Sequence, residues 1–116
     1  MMNRTLLVAA GIGLVAQLAM VLVGHTNAGI AALFAPLGIA ISFVAGALYA
    51  WLARPGTGQG ALGGAIAGGL CALVGIAVSY ALGDVTAFIL LAGTLSSAVG
   101  GAIGGAAIAA LRRKPA

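Results

Sequence analysis

Residues 60–82, GALGGAIAGGLCALVGIAVSYAL, lead through Gly83 and Asp84 into residues 85–111, VTAFILLAGTLSSAVGGAIGGAAIAAL, and neither run contains a charged side chain. Crossing a hydrocarbon core about 30 Å thick takes about 20 residues of helix, and both runs exceed that. Backbone N–H and C=O groups cannot be left unpaired in lipid, so runs of this kind are helices or closed barrels. The polar alternation of barrel strands is absent, which leaves two antiparallel membrane helices joined at Gly83-Asp84.

The pattern repeats toward the N-terminus. Arg54-Pro55-Gly56-Thr57-Gly58-Gln59 is a breaker run, and the apolar stretch before it covers residues 28–53. Gly24-His25-Thr26-Asn27 is a polar turn, and residues 5–23 form a further apolar run before it. The expectation is one all-α integral membrane domain, residues 1–116. It has four transmembrane helices in an antiparallel up-down bundle, with spans near 5–23, 28–53, 60–82 and 85–111. Pro36 falls inside the second run, where a helix either kinks or begins.

Charge orients the bundle. Arg4, Arg54, Arg112, Arg113 and Lys114 all fall at one side of this threading, while His25 and Asp84 fall at the other. Basic residues flanking spans stay in the cytoplasm, so both termini are expected inside, in a bacterial plasma (inner) membrane. The five cations are then expected to meet anionic lipid headgroups at the cytoplasmic face. Tyr49 and Trp51 near Arg54, and Tyr80 near Asp84, are placed for the two headgroup levels. Residues 1–28 share the basic start and apolar core of a signal peptide, with a small-residue site after Ala28. The core is longer than the usual 7 to about 15 residues, so retention is expected.

Composition rules out most other classes. Of 116 residues 63% are hydrophobic and 5% charged, whereas soluble domains carry about 25% charged residues. The net charge of +4 comes from span flanks rather than a patch, so no nucleic-acid partner is expected. Cys71 is the only cysteine, which leaves no disulfide framework and no cysteine-based metal site.

Twenty glycines are the second signal. A glycine inside a helix is unfavourable by about 1 kcal/mol relative to alanine, and close helix approach is the compensation. On the third span Gly60, Gly64, Gly68 and Ala72 make one stripe, and Gly63, Ala67, Cys71, Gly75 and Ser79 another. On the fourth, Gly93, Ser97, Gly101, Gly105 and Ala109 make one, and Ser96, Gly100 and Gly104 a second about 100° away. Gly38, Ser42, Gly46 and Ala50 repeat the fourth-span spacing, which suggests a duplicated hairpin with parallel partners. Helix packing is the expected use of Gly60, Gly64, Gly68, Gly75, Gly93, Ser97, Gly101 and Gly105. A monomer is expected to leave one smooth face over, hence self-association or docking on a larger membrane protein.

Reactive chemistry is scarce. No acidic or basic residue falls within a span, although proton-coupled pumps and voltage sensors depend on one. His25 and Asp84 can approach each other at the outer surface, but the plainer expectation is two separate turn residues in water. Gln17 is the notable polar residue within a span, expected to bridge helices because a buried amide needs partners. The serines can satisfy themselves on their own backbone. No catalytic, cofactor or metal site is expected. The functional expectation is a small non-enzymatic membrane protein, a homo-oligomer or accessory subunit packing through its third and fourth helices. The alternatives are a passive pore or holin-like channel, and a small transporter or lipid-binding protein. Cysteine labelling checks the threading: in a Cys71→Ser background, Gly58→Cys and Pro115→Cys should react with an impermeant maleimide from one side of sealed vesicles and Gly83→Cys from the other.

Overall fold

The computed structural model describes residues 4–31 and 33–112. Among them lie five helices and no strand: α1 Arg4–Thr26, α2 Ala28–Ala31, α3 Phe34–Ala53, α4 Thr57–Ala81 and α5 Ala87–Arg112. α1, α4, α5 and the Pro36–Ala53 part of α3 are each long and apolar enough to cross a membrane. The chain is an all-α polytopic membrane protein with a bundle measuring 50 × 22 × 21 Å.

Local chemistry sets the ends of these helices, and several depart from the expected limits. α1 continues to Thr26, so the polar turn shrinks to Asn27. Asn27 Oδ1 accepts the Ile30 N–H at 3.1 Å and caps the one-turn α2. The expected second span is therefore split. Leu33 separates α2 from α3, and Pro36 lies in the first turn of α3, where its missing N–H has no intrahelical partner to lose. α3 thus begins near Pro36, two residues before it, rather than kinking there.

Arg54 ends α3 in the left-handed region (φ 52°), its N–H bonded to Ala50 O at 3.0 Å. α4 then begins at Thr57, three residues before the expected start. At its far end Gly83 (φ +80°) donates to Tyr80 O and Asp84 N–H to Ser79 O, both at 3.0 Å. That paired termination needs a residue free to adopt positive φ, which glycine supplies. Thr86 Oγ1 accepts Ile89 N–H at 3.3 Å, capping α5, so the fourth helix starts two residues late.

The bundle sorts side chains by size. Gly60, Gly63, Gly64, Ala67, Gly68, Cys71, Ala72, Gly75 and Ser79 of α4 are buried, while Leu62, Leu70, Leu73 and Val74 are exposed. α5 likewise buries Ser97, Gly100, Gly101, Gly104, Gly105 and Ala109 and exposes Phe88, Leu91, Leu95, Val99 and Ile103. Lipid tails are as apolar as leucine, so burial of large side chains gives no advantage, and the helices gain from backbone contact instead.

α4 packs against α1, α3 and α5, and α5 packs against α3 and α4. α1 packs on α3 and α4 but forms no packed interface with α5. α3 and α5 run parallel, as the repeated spacing suggested. Because the α3–α4 interface has no α1–α5 counterpart, the two hairpins are not packed equivalently.

Toward the arginine-bearing end, both stripes of α4 and α5 are consumed within one copy. A Cβ at Gly64 or Gly101 would strike the other residue's carbonyl, and one at Gly105 would strike Gly60 O. Gly46 meets Gly101 O from α3, Gly68 meets Ser42 O at 3.0 Å, and Gly104 meets Phe43 O. Gly63 is covered by the Tyr49 ring, which is buried with Leu6, Ala9 and Ala67 instead of standing at the headgroup level. The surplus smooth face expected from the sequence is therefore not left over, because α3 takes up the second stripe of α5 while α1 and α3 take up that of α4. Gly101→Ala is expected to lower stability by about 1–3 kcal/mol through overpacking against a carbonyl that cannot rotate away. Gly11 has open space around its Cβ position, and Gly11→Ala should be neutral or stabilise by up to about 1 kcal/mol. Unfolding in mixed micelles followed by circular dichroism reads both.

Candidate functional site

Polar groups that cannot reach water collect at one level of the bundle. Gln17 of α1 is 1% exposed, and its Nε2 donates to Gly38 O and to Ser42 Oγ, each at 3.2 Å. A longer contact of 3.9 Å reaches Cys71 Sγ. Ser42 Oγ donates in turn to Gly68 O at 3.1 Å, and Cys71 Sγ donates to the same carbonyl at 3.2 Å. α1, α3 and α4 are thus joined through one hydrogen-bonded cluster. Ser42 does not turn back on its own backbone as expected, because Gly68 brings a carbonyl of α4 within its reach.

Above this cluster, toward the His25–Asp84 end, the helices separate around a cavity of about 410 Å³. Its walls are Met20, Val21, Ile39, Ile76, Val85 and Ile89. The polar lining is Gln17, Ser79, Ser96, Ser97 and, at the rim, Asp84. The volume lies within the range of about 300–1,000 Å³ typical of small-molecule sites. Small residues explain the gap. Gly38, Ala92 and Gly93 line it, and a Cβ at Gly93 would meet only Ile76 Cδ1, at 2.7 Å, rather than backbone.

The α5 stripe therefore changes role along its length. Gly101 and Gly105 clasp α4, whereas Gly93 and Ser97 border the cavity. Gly75 accommodates the Gln17 side chain, whose Cβ lies 2.8 Å from the position a Gly75 Cβ would take.

Ser79 is 1% exposed, and its Oγ has no hydrogen-bond partner; Thr94 Oγ1 is in the same position. A helical serine can reach a carbonyl of its own preceding turn, but Ser79 makes no such bond here. At the rim His25 Nδ1 and Asp84 Oδ2 are 2.8 Å apart. These are not the two separate turn residues expected, since the Gly83 termination returns Asp84 toward the end of α1. Both are partly exposed to solvent, so their attraction is worth about 0–1 kcal/mol. Among the described residues no third His, Cys, Asp or Glu joins them to make a metal-binding group.

At the opposite end Arg4 and Arg54 are exposed. The Arg112 guanidinium stacks 3.8 Å above the Trp51 ring, tying the ends of α3 and α5 through a cation–π contact. Arg113 and Lys114 lie outside the described residues. Ser79 and Ser42 carry no sequence signal that separates them from the other serines, because burial and approach distance are long-range properties. No family model, curated relative or solved structure matches the chain.

A double-mutant cycle tests the polar cluster. Gln17→Ala and Ser42→Ala should each destabilise, and together by less than their sum, with coupling of about 0.5 kcal/mol or more. Strict additivity in micellar unfolding would show that the two side chains do not act on each other.

Proposed function

We propose that this chain is a non-enzymatic polytopic membrane protein that works by holding a small membrane-soluble molecule between its helices. The observation that carries this reading is the cavity of about 410 Å³ with apolar walls and a few convergent polar groups, Gln17, Ser79, Ser96 and Ser97. Binding sites between helices of bundles have this composition. The scarcity of titratable groups argues against general acid–base work, which needs a residue in reach of the reacting proton. The basic flanks favour an orientation with the Arg4, Arg54 and Arg112 end in the cytoplasm, against anionic headgroups, and the cavity mouth facing out.

A second reading is a homo-oligomer or an accessory subunit of a larger membrane complex. The glycine stripes are occupied internally, so such an assembly would use the exposed ridge Leu91, Leu95, Val99 and Ile103 of α5. Its uniform spacing of four residues is a ridge of the kind that suits ridge-into-groove packing. A passive pore is disfavoured, because toward the cationic end the bundle centre is filled by backbone contacts among Gly46, Gly64, Gly68 and Gly101.

Purification from the native membrane in mild detergent, followed by native mass spectrometry and organic extraction, separates these readings. The binding reading expects a bound small molecule near one per chain that falls to background in Ala92→Phe, which fills the cavity from α5. Equal extracts from both proteins would count against it. A mass of one chain with no associated protein would remove the second reading.

A further inference from the structure

The lining of the cavity also selects among ligand heads, an inference that rests on the binding reading above. Among the described residues Asp84 is the only ionisable one on the wall, and it sits at the rim already engaged by His25 at 2.8 Å. Among the described residues no cationic side chain lines the space, so an anionic head would enter a low-dielectric site unpaired, which is strongly unfavourable. A cationic head would have to displace His25 from Asp84. An uncharged head meets neither obstacle.

The interior instead offers neutral hydrogen bonding. Ser79 Oγ is buried and unpartnered, able both to donate and to accept. Gln17 makes its hydrogen bonds through Nε2, and Oε1 takes part in none of them. Ser96 and Ser97 add hydroxyls to the same lining. A buried hydroxyl left without a partner is unfavourable, so an occupant that bonds Ser79 recovers what the fold leaves unmet.

The apolar walls indicate the rest of the molecule. Met20 on α1 and Ile89 on α5 both line the cavity, yet these two helices form no packed interface. The two helices face each other across the space with α3 and α4 packed on both, so an alkyl chain entering it lies along these apolar walls. We propose that the cavity takes an uncharged single-chain amphiphile, with a hydroxyl or carbonyl head on Ser79 Oγ and an alkyl chain along the walls formed by Met20, Ile39, Ile76 and Ile89. A neutral lipid and a free long-chain alcohol share this chemistry.

The test measures saturable binding of radiolabelled dodecanol, dodecanoate and dodecyltrimethylammonium to the full chain in phosphatidylcholine nanodiscs, with empty nanodiscs subtracted. Dodecanol is expected to bind and to be displaced by excess dodecanol or by monododecanoylglycerol, the lipid-type competitor, but not by the two ions. Ser79→Ala should weaken dodecanol binding about five- to tenfold, the worth of one hydrogen bond, while Ser79→Thr, which keeps the hydroxyl, should retain it. Ala92→Phe should abolish it, with circular dichroism confirming an intact helical fold. If an ionic probe binds instead and is lost in Ala92→Phe, the uncharged class is overturned and the cavity reading stands. Unchanged dodecanol affinity in Ser79→Ala likewise overturns the proposed head contact. If no probe binds, or if binding survives Ala92→Phe, both the ligand class and the cavity reading fall.

Discussion

The structure depends on the convergence of three backbones at Gly46 of α3, Gly64 and Gly68 of α4, and Gly101 of α5, where a single added Cβ would strike main-chain atoms. In a bilayer the usual driving force for burial is missing between helices, since a leucine is as well accommodated by lipid as by protein. Association then rests on dispersion between closely spaced atoms, each contact worth about 0.1–0.2 kcal/mol and many acting together. Only glycine lets backbones come close enough to sum enough of them. This explains why the chain accepts so many helix-weakening residues, and why its large side chains face outward.

That same reliance on small residues divides the bundle into a tight half and a loose one. Toward the arginine-bearing end, glycine on one helix meets glycine or a carbonyl on the next, and Tyr49 closes over Gly63. Toward the other end α3 starts late, at Phe34, Gly38 and Gly93 meet side chains rather than backbone, and with Ala92, Ser96 and Ser97 they line the cavity. Small side chains without close approach leave space. The cavity is thus produced by the same residue choice that makes the packed half, applied where the helices diverge.

The Gln17 cluster lies at the boundary between these halves. Its hydrogen bonds to Gly38 and Ser42 hold α1 at one register against α3, and the Ser42 and Cys71 bonds to Gly68 O extend that register to α4. In membranes such bonds contribute about 0.6 kcal/mol each, so their larger effect is on which arrangement is adopted. A bundle apolar on every side has little else to choose one rotation of α1 over another. The amide thereby fixes both the floor of the cavity and the position of one of the helices that wall it.

Much of the architecture was legible in the linear chain, because the signals involved are local. Four uncharged runs of membrane-spanning length, the breaker at Arg54-Pro55-Gly56 and the turn at Gly83-Asp84 follow from rules that act within a few residues. That Gln17 needs partners was also legible, since an amide in lipid cannot go unpaired. Which partners it finds was not. Ser42 and Ser97 occupy equivalent stripe positions in the sequence, yet one carries a hydrogen bond between helices and the other lines a void. The pairing of His25 with Asp84 and the unpartnered state of Ser79 depend in the same way on contacts between residues far apart in the chain. Residue size and polarity along a helix determine what each face can do, but the distance between helices decides what it does, and that distance is set by all the interfaces of the bundle together.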